Sequence, residues 1–181
     1  TYRILGDYEG ALRYLRRALA TDVSPAQDSR ARSFMSTCFL RLGMPDSALF
    51  YAQEAAIVKH PSDAPQSYAV QQDDLAAAYA ALGEYDLAET YYRRALATVD
   101  SFPVGIQLAS GAGGYSDLLI KRGRAHEALM WARKGYGQYI GQGLHVPDRI
   151  AVAAGALARA FRANGMADSA LAYMMIRDSY H

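Results

Sequence analysis

The side chains best suited to metal binding or nucleophilic catalysis are four histidines and a single cysteine. They are His60, His126, His145, His181 and Cys38. A zinc site or an activated thiol needs such groups grouped at helix-turn spacing or beside a base. Here the histidines are scattered, no His-Glu-x-x-His segment occurs, and a lone cysteine suits a packed apolar position. The sequence therefore predicts no catalytic residue, no metal site and no cofactor.

Two glycine-rich segments invite a phosphate-binding interpretation. Residues 110–116 read Ser-Gly-Ala-Gly-Gly-Tyr-Ser, but they lack the Gly-Lys-Ser/Thr ending of a phosphate loop and follow no predicted strand. The alternatives are a helix that starts late, or a bare backbone that a ligand or neighbouring helix approaches closely. Residues 135–143 contain four glycines and are expected to form a flexible loop.

Composition excludes several classes of function. The 181 residues carry 19 Lys and Arg against 18 Asp and Glu, a formal net charge of +1. Nucleic-acid binding and attachment to an anionic membrane surface both call for a basic face, which this balance does not favour. The longest run of small apolar residues, 151–158, is too short to cross a bilayer. We therefore expect neither a nucleic-acid partner nor membrane insertion.

The elements that must position any site follow from an internal repeat. Five glycines recur at intervals of 37, 40, 40 and 42 residues: Gly6, Gly43, Gly83, Gly123 and Gly165. Five residues after each stands an alanine: Ala11, Ala48, Ala88, Ala128 and Ala170. Eight residues after each stands an aromatic residue: Tyr14, Tyr51, Tyr91, Trp131 and Tyr173. We interpret this aromatic ladder as packing between successive units; the alternative is a binding stripe.

The repeat predicts a helix, a glycine turn, a second helix and a proline-containing joint. Apolar residues recur every three or four positions on both sides of each glycine, and glycine readily adopts the left-handed conformation that ends a helix. The units are expected at about 1–24 (partial), 25–60, 66–100, 105–140 and 148–181. The predicted fold is thus all-α, a single domain over residues 1–181 with about four and a half repeats.

This unit resembles the tetratricopeptide repeat, which has 34 residues and a W-x2-L-G-x2-Y, A-x3-F, P pattern. The third unit fits best: Leu75, Ala76 and Tyr79 stand on L, G and Y, and Ala88 and Tyr92 on A and F. The tryptophan and proline positions carry other residues, and the period of about 40 is longer. The resemblance implies a right-handed α-solenoid of antiparallel helix pairs. Stacked HEAT-like pairs are the alternative.

In proteins of this family the first helix of each pair lines a concave groove that holds a protein or peptide segment. The resemblance places the following residues there: Ser33, Phe34, Thr37, Arg41, Asp73, Asp74, Ala77, Asp117, Lys121, Arg159 and Arg162. Their charges are basic at both ends and acidic in the middle. We hypothesise that a partner places a basic residue near Asp73 and Asp74; the alternative is that these are ordinary solvated carboxylates.

The predicted function is a non-catalytic scaffold that binds a protein or peptide. The segments Gly-Met-Pro-Asp-Ser-Ala-Leu (43–49) and Gly-Met-Ala-Asp-Ser-Ala-Leu (165–171) look like repeat regions of bacterial sensor histidine kinases and related regulators. This similarity predicts a sensory or interaction module of a signalling protein, in the cytoplasm or the periplasm. Alternatives are a self-associating module that forms a homodimer, and an accessory domain of an enzyme.

Both ends of the sequence also carry expectations. The partial first unit predicts that further sequence precedes residue 1 in the parent protein. In the last helix, Arg177 and Asp178 replace the apolar residues of earlier units. We therefore expect this helix to lack the stripe that receives another repeat and to act as a capping end or a linking helix.

Overall fold

The computed structural model describes residues 7–58, 60–102, 108–141 and 147–180, without the side chains of 108–110. Every element in this part of the chain is an α-helix. The helices are α1 (Tyr8–Leu19), α2 (Pro25–Arg41), α3 (Pro45–Ala55), α4 (Pro65–Leu82), α5 (Tyr85–Ser101), α6 (Leu108–Lys121), α7 (Ala125–Gly141), α8 (Pro147–Ala163) and α9 (Ala167–Asp178). The chain divides into two compact units, residues 1–91 and 92–181, which are described separately.

Glycine turns join the two helices of each pair, as the repeat predicts. Gly43, Gly83, Gly123 and Gly165 have φ values of 71°, 85°, 75° and 74°. After α2, the amide of Met44 donates to the carbonyl of Phe39 at 2.9 Å and that of Gly43 to Leu40 at 3.2 Å. This pair of bonds satisfies carbonyls left free at the helix end, and it requires a left-handed residue that glycine adopts without strain.

Prolines mark helix starts and not only joints. The first residue of α2, α3, α4 and α8 is a proline. At the first position of a helix the backbone N–H has no acceptor within the helix, so proline loses no hydrogen bond there, and its fixed φ is already helical. Ser24 adds a capping box to α2, since its hydroxyl accepts from the amide of Gln27 at 3.4 Å and the Gln27 side chain accepts from the Ser24 amide at 2.9 Å.

Small residues bring the helices of each pair close together. The alanines five residues after the turn glycines are buried in all four complete pairs. In the first pair, the Ser36 hydroxyl of α2 donates to the Ala48 carbonyl of α3 at 2.9 Å. A larger side chain at either position would push the helices apart, because interiors are packed without spare volume.

The residues of the aromatic ladder pack mainly within helix pairs. The repeat pattern predicts packing between successive units instead. In three pairs the ladder residue stacks on the aromatic residue four positions before the turn glycine. These are Phe39 with Tyr51, Tyr79 with Tyr91, and Phe161 with Tyr173, with ring centroids 5.2, 5.4 and 5.4 Å apart. The ring of Tyr173 also meets that of Tyr136 in α7 edge-on at 5.2 Å, which is a contact of the expected kind.

The remaining ladder positions differ from this arrangement. The fourth pair has Leu119 four positions before its glycine, and Trp131 instead meets Tyr115 edge-on at 5.5 Å. Tyr2, the corresponding residue for Tyr14, lies outside the described residues. The ring that a ladder residue contacts thus depends on which side chain precedes the turn.

Both glycine-rich segments are helical where the structure describes them. The expectation of a late helix start at 111–114 is wrong, because α6 already begins at Leu108. A methyl group on Gly114 would lie 2.5 Å from Tyr92 Oη, and one on Gly113 would lie 3.5 Å from Ala156 Cβ. The bare backbone thus admits neighbouring helices. The expectation of a loop at 135–143 is also wrong for residues 135–141, because α7 continues to Gly141. Gly143 lies outside the described residues.

Candidate functional site

The residues suited to metal or nucleophilic chemistry remain apart in the described structure. His60 Nδ1 lies 2.7 Å from the Ser62 hydroxyl in the joint before α4, and His126 is exposed in the first turn of α7. Cys38 is buried beside Met35. His145 and His181 lie outside the described residues. Within the described residues, no three His, Cys, Asp or Glu side chains are placed to hold a metal ion.

The predicted groove residues of the first unit come from α2 and α4. We call the set Ser33, Phe34, Thr37, Arg41, Asp73, Asp74 and Ala77 the α2–α4 face. Its two helices are joined by a hydrogen bond from the Ser33 hydroxyl to the Asp74 carboxyl. The Thr37 hydroxyl donates to the Ser33 carbonyl at 3.3 Å, so both hydroxyls are used inside the face. Phe34 remains 43% exposed and offers an apolar contact beside them.

Asp74 is the electrostatically unusual residue of this face. Burial raises its pKa to about 8, the Ser33 hydrogen bond acts in the opposite direction, and the negative charge of Asp73 adds to the increase. Burial has this effect because a carboxylate loses its hydration when it leaves water, whereas the neutral acid loses much less. At neutral pH the Asp74 carboxyl is therefore mainly protonated and uncharged.

A buried polar network next to the face fixes α4 against α3. The Gln71 amide donates to the Ser29 hydroxyl at 3.2 Å, and that hydroxyl donates to the Ala55 carbonyl at 2.7 Å. The Gln71 side-chain oxygen in turn accepts from the Val58 amide at 3.2 Å. These bonds satisfy backbone groups at the end of α3 that would otherwise be costly to bury. The repeat pattern does not predict this network, because Gln71 belongs to no repeated position.

The predicted groove residues of the second unit come from α6 and α8. We call Asp117, Lys121, Arg159 and Arg162 the α6–α8 face. Arg159 donates from Nε and Nη2 to the two carboxylate oxygens of Asp117, each at 2.8 Å. This two-pronged geometry is the strong form of an ion pair, although both side chains are exposed enough for water to screen it. Lys121 and Arg162 are exposed.

These contacts change the charge distribution expected from the sequence. Of the three carboxylates placed in an acidic middle, Asp74 is mainly neutral at neutral pH and Asp117 is paired with Arg159. Arg159 is likewise not an uncompensated cation. The first-unit face therefore keeps two further ionisable side chains, the exposed Arg41 and the half-buried Asp73, beside the hydrogen-bonded Ser33 and Asp74. On the second-unit face, Lys121 and Arg162 give a positive charge.

The fold and the positions of these faces define a class of protein. In the described part of the chain, antiparallel helix pairs repeat with the same glycine turn and the same buried alanine, which is the architecture of an all-α helical-repeat solenoid. Among the described helices, none combines the length and apolarity needed to cross a bilayer.

Comparison with known protein families finds matches in two segments of the chain. Residues 73–103 and 1–21 match two models of the tetratricopeptide repeat. These matches show that the chain carries tetratricopeptide repeats, a repeat that generally builds protein-interaction scaffolds. No curated protein matches the sequence significantly.

Solved structures share the fold at low identity. A thermophilic TPR protein in Thermus thermophilus is 20% identical, with 98% of this chain and 91% of that protein covered and a TM-score of 0.71. BtubC from P. vanneervenii is 20% identical, with 99% and 75% covered and a TM-score of 0.65. A Podospora anserina protein with nearly identical TPR-like repeats is 18% identical, with 99% and 89% covered and a TM-score of 0.59.

Proposed function

We propose that this protein is a non-catalytic scaffold that binds a protein or peptide segment through the first helices of its repeats. The observation that carries the proposal is that side chains at the predicted positions reach one another across consecutive first helices. Ser33 bonds to Asp74 41 residues away, and Asp117 to Arg159 42 residues away. The residues of each face thus lie side by side, as a segment crossing several helices requires.

The two faces, taken one unit at a time, favour different chemistry in the segments that they bind. On the α2–α4 face the hydroxyls and the Asp74 carboxyl are already bonded internally, so an apolar side chain against Phe34 and Ala77 is the favourable contact. On the α6–α8 face, Lys121 and Arg162 favour an acidic segment. The hypothesis of a basic partner residue near Asp73 and Asp74 now depends mainly on Asp73, because Asp74 is mainly neutral at neutral pH.

Three finer statements belong to the same proposal. We infer a single interaction domain over residues 1–181. A sensory role in a bacterial signalling protein is supported by the similarity of residues 43–49 and 165–171 to repeat regions of sensor kinases. Two competing roles are homodimer formation and attachment to an enzyme. Light scattering, together with the binding experiment below, distinguishes homodimer formation from partner binding.

A peptide array tests the proposal. The full chain would be applied to peptides that combine apolar, acidic and basic residues, and affinities of the positives measured by fluorescence anisotropy. Phe34→Asp should weaken the best apolar peptides at least about tenfold, which corresponds to about 1.4 kcal/mol. Arg162→Glu should selectively weaken peptides with acidic residues.

The matched control is Leu87→Asp, since Leu87 is 45% exposed against 43% for Phe34 but lies on the second helix α5. The control should leave affinity within about twofold, a difference of about 0.4 kcal/mol. Equal losses for Phe34→Asp and Leu87→Asp would contradict binding by the first helices. Circular dichroism of each variant checks that the fold is retained.

A further inference from the structure

A cavity of about 490 Å³ in the first unit is lined by α1, the end of α2 and the start of α3. We call it the α1–α3 cavity. Three of its lining residues form an aromatic cluster: the rings of Phe39 and Tyr51 stack at 5.2 Å, and Phe50 meets Tyr51 edge-on at 5.1 Å. Phe39 is buried, whereas Phe50 is 55% and Met44 47% exposed. The apolar lining therefore reaches from the core to the surface, where a side chain of another molecule can enter.

The exposure of this lining is a property of the repeat and does not depend on α1 being the first described helix. Phe50 and Met130 stand seven residues after the turn glycines of α3 and α7, and both are exposed. Gln53 and Arg133 stand ten residues after the same glycines, as Arg16 does in α1, and both are exposed as well. Because α3 and α7 pack between helices on both sides, neighbouring helices leave these two positions open.

The corresponding place in the second unit is closed by an arginine. The guanidinium carbon of Arg133 lies 5.2 Å from the centroid of the Phe161 ring. Arg16 and Phe39 occupy the same two repeat positions and both line the α1–α3 cavity, but Arg16 makes no such ring contact. Nor does it form a hydrogen bond or an ion pair with any residue that the structure describes. The cavity thus combines an uncovered aromatic ring with an unpaired guanidinium.

The α1 side of the cavity is basic. Arg13, Arg16 and Arg17 stand three and four residues apart, which places them on one side of α1, and all three are exposed. Within the described residues none of them is paired with a carboxylate. Like charges at this spacing repel one another and weaken the helix, so an acidic partner would remove a cost as well as form new contacts. On the α3 side the lining residue Asp46 carries the opposite charge.

We propose that the α1–α3 cavity binds a short segment of a partner protein that inserts one aromatic side chain and places acidic residues against α1. A Trp or Tyr ring can pack edge-on or offset on the rings of Phe39 and Phe50, and such residues are effective anchors of an interface. Carboxylates beside the anchor form charge-assisted hydrogen bonds with the arginines. The site lies on second helices and does not depend on the proposed function of the two first-helix faces.

The charges around the cavity favour such a segment over two other occupants. A nucleic acid also offers rings and negative charge, but its phosphates continue on both sides of every base. One of these sides would meet Asp46, which repels a phosphate. In a symmetric dimer formed through the same surface, the arginines of α1 would approach those of the second copy and repel them. A peptide can carry its acidic residues on the α1 side alone.

Fluorescence anisotropy with the full chain and four labelled peptides tests the proposal. The probe is Gly-Ser-Glu-Glu-Trp-Ser-Gly, and the other three peptides carry Gln for both Glu, Lys for both Glu, or Ala for Trp. The probe should bind at least about fivefold more tightly than the Gln and Ala peptides, and the Lys peptide should not bind. Arg16→Glu and Phe50→Asp should each weaken binding of the probe at least about tenfold. Arg16→Glu should also narrow the preference for the probe over the Lys peptide.

Arg30→Glu is the matched control, since it makes the same charge change at an exposed position of the same unit but does not line the cavity. Its affinity for the probe should stay within about twofold of the wild type. Failure of the probe to bind, equal affinity for the Gln peptide, or equal losses in Arg16→Glu and Arg30→Glu would overturn the proposal.

Three further results would assign the surface differently and also overturn the proposal. A loss of probe binding in Phe34→Asp but not in Arg16→Glu places the peptide on the α2–α4 face, which supports the proposed function instead. Tighter binding of an oligothymidylate than of the probe, lost in Arg16→Glu, identifies a nucleic-acid site. A dimer in light scattering that Arg16→Glu dissociates assigns the cavity to a second copy of the chain.

Discussion

Replacing Asp74 by asparagine should remove a pH dependence of folding stability that the wild type shows. The folded-state pKa of Asp74 is about 8 and the ordinary value is 3.8. Between these two values the folded protein holds a proton that the unfolded chain has released, so wild-type stability falls as pH rises from about 4 to about 8. Asparagine keeps the shape of the neutral acid and does not ionise.

The size of the effect follows from the gap between the two pKa values. Each pH unit within that gap contributes about 1.36 kcal/mol, and a gap of about four units sets a ceiling of about 5–6 kcal/mol. Asp74 is partly accessible to solvent, and hydration of its carboxylate reduces the penalty. Between pH 5 and the folded-state pKa of about 8 lie three pH units, so we expect the wild type to lose up to about 4 kcal/mol between pH 5 and pH 9 relative to Asp74→Asn.

Urea denaturation followed by circular dichroism at pH 5, 7 and 9 measures this difference. The range lies above the titration of Asp28, whose pKa is held below its ordinary value by the hydrogen bond from Arg32. Ser33→Ala is the control, since it removes the hydrogen-bond partner and keeps the carboxyl. It should destabilise the protein by about 1 kcal/mol at pH 5 and retain the pH dependence. Parallel curves for the wild type and Asp74→Asn would refute the argument.

Two further predictions follow from helix packing and from the α6–α8 face. Gly114→Ala should destabilise the protein by about 1–3 kcal/mol, because the added methyl would lie 2.5 Å from Tyr92 Oη. Gly137→Ala, in a helical position with nothing within 4 Å, should instead stabilise it by about 0.5–1 kcal/mol; thermal denaturation of both variants checks the contrast, and equal shifts would contradict it. A double-mutant cycle of Asp117→Ala and Arg159→Ala should give a coupling of about 0.5–1 kcal/mol that shrinks at high salt, and a coupling indifferent to salt would argue against an exposed ion pair.

The repeat positions that the sequence specifies are those where local conformation or volume leaves little choice. Gly83 has a positive φ, a conformation that side chains with a Cβ rarely adopt. Ala88 is fully buried at a close contact between helices. Such constraints recur once per unit, so they appear in the sequence as a period and identify the fold and the turn within each helix pair.

The repeat pattern does not predict which aromatic ring each ladder residue contacts. The sequence shows an aromatic residue eight positions after each glycine, but not which ring it meets. The outcome depends on the residue four positions before the glycine, so that Tyr91 stacks on Tyr79 whereas Trp131 turns to Tyr115. Likewise, the glycines of α6 indicate a weak helix by propensity, and only the tertiary structure shows that Gly114 makes room for the Tyr92 ring.

The chain by itself determines the all-α repeat, its turns and the residues of each first helix, because these depend on local backbone preferences and on apolar periodicity. Tertiary structure alone decides their electrostatic state. Asp74 and Asp117 are the same residue type, yet burial makes one mainly neutral at neutral pH while Arg159, 42 residues away, pairs with the other. Tertiary structure also decides that Leu171 is exposed where Leu129 is buried. Desolvation of a side chain and its contacts with residues distant in sequence arise only when the chain folds, so they cannot be read from the sequence.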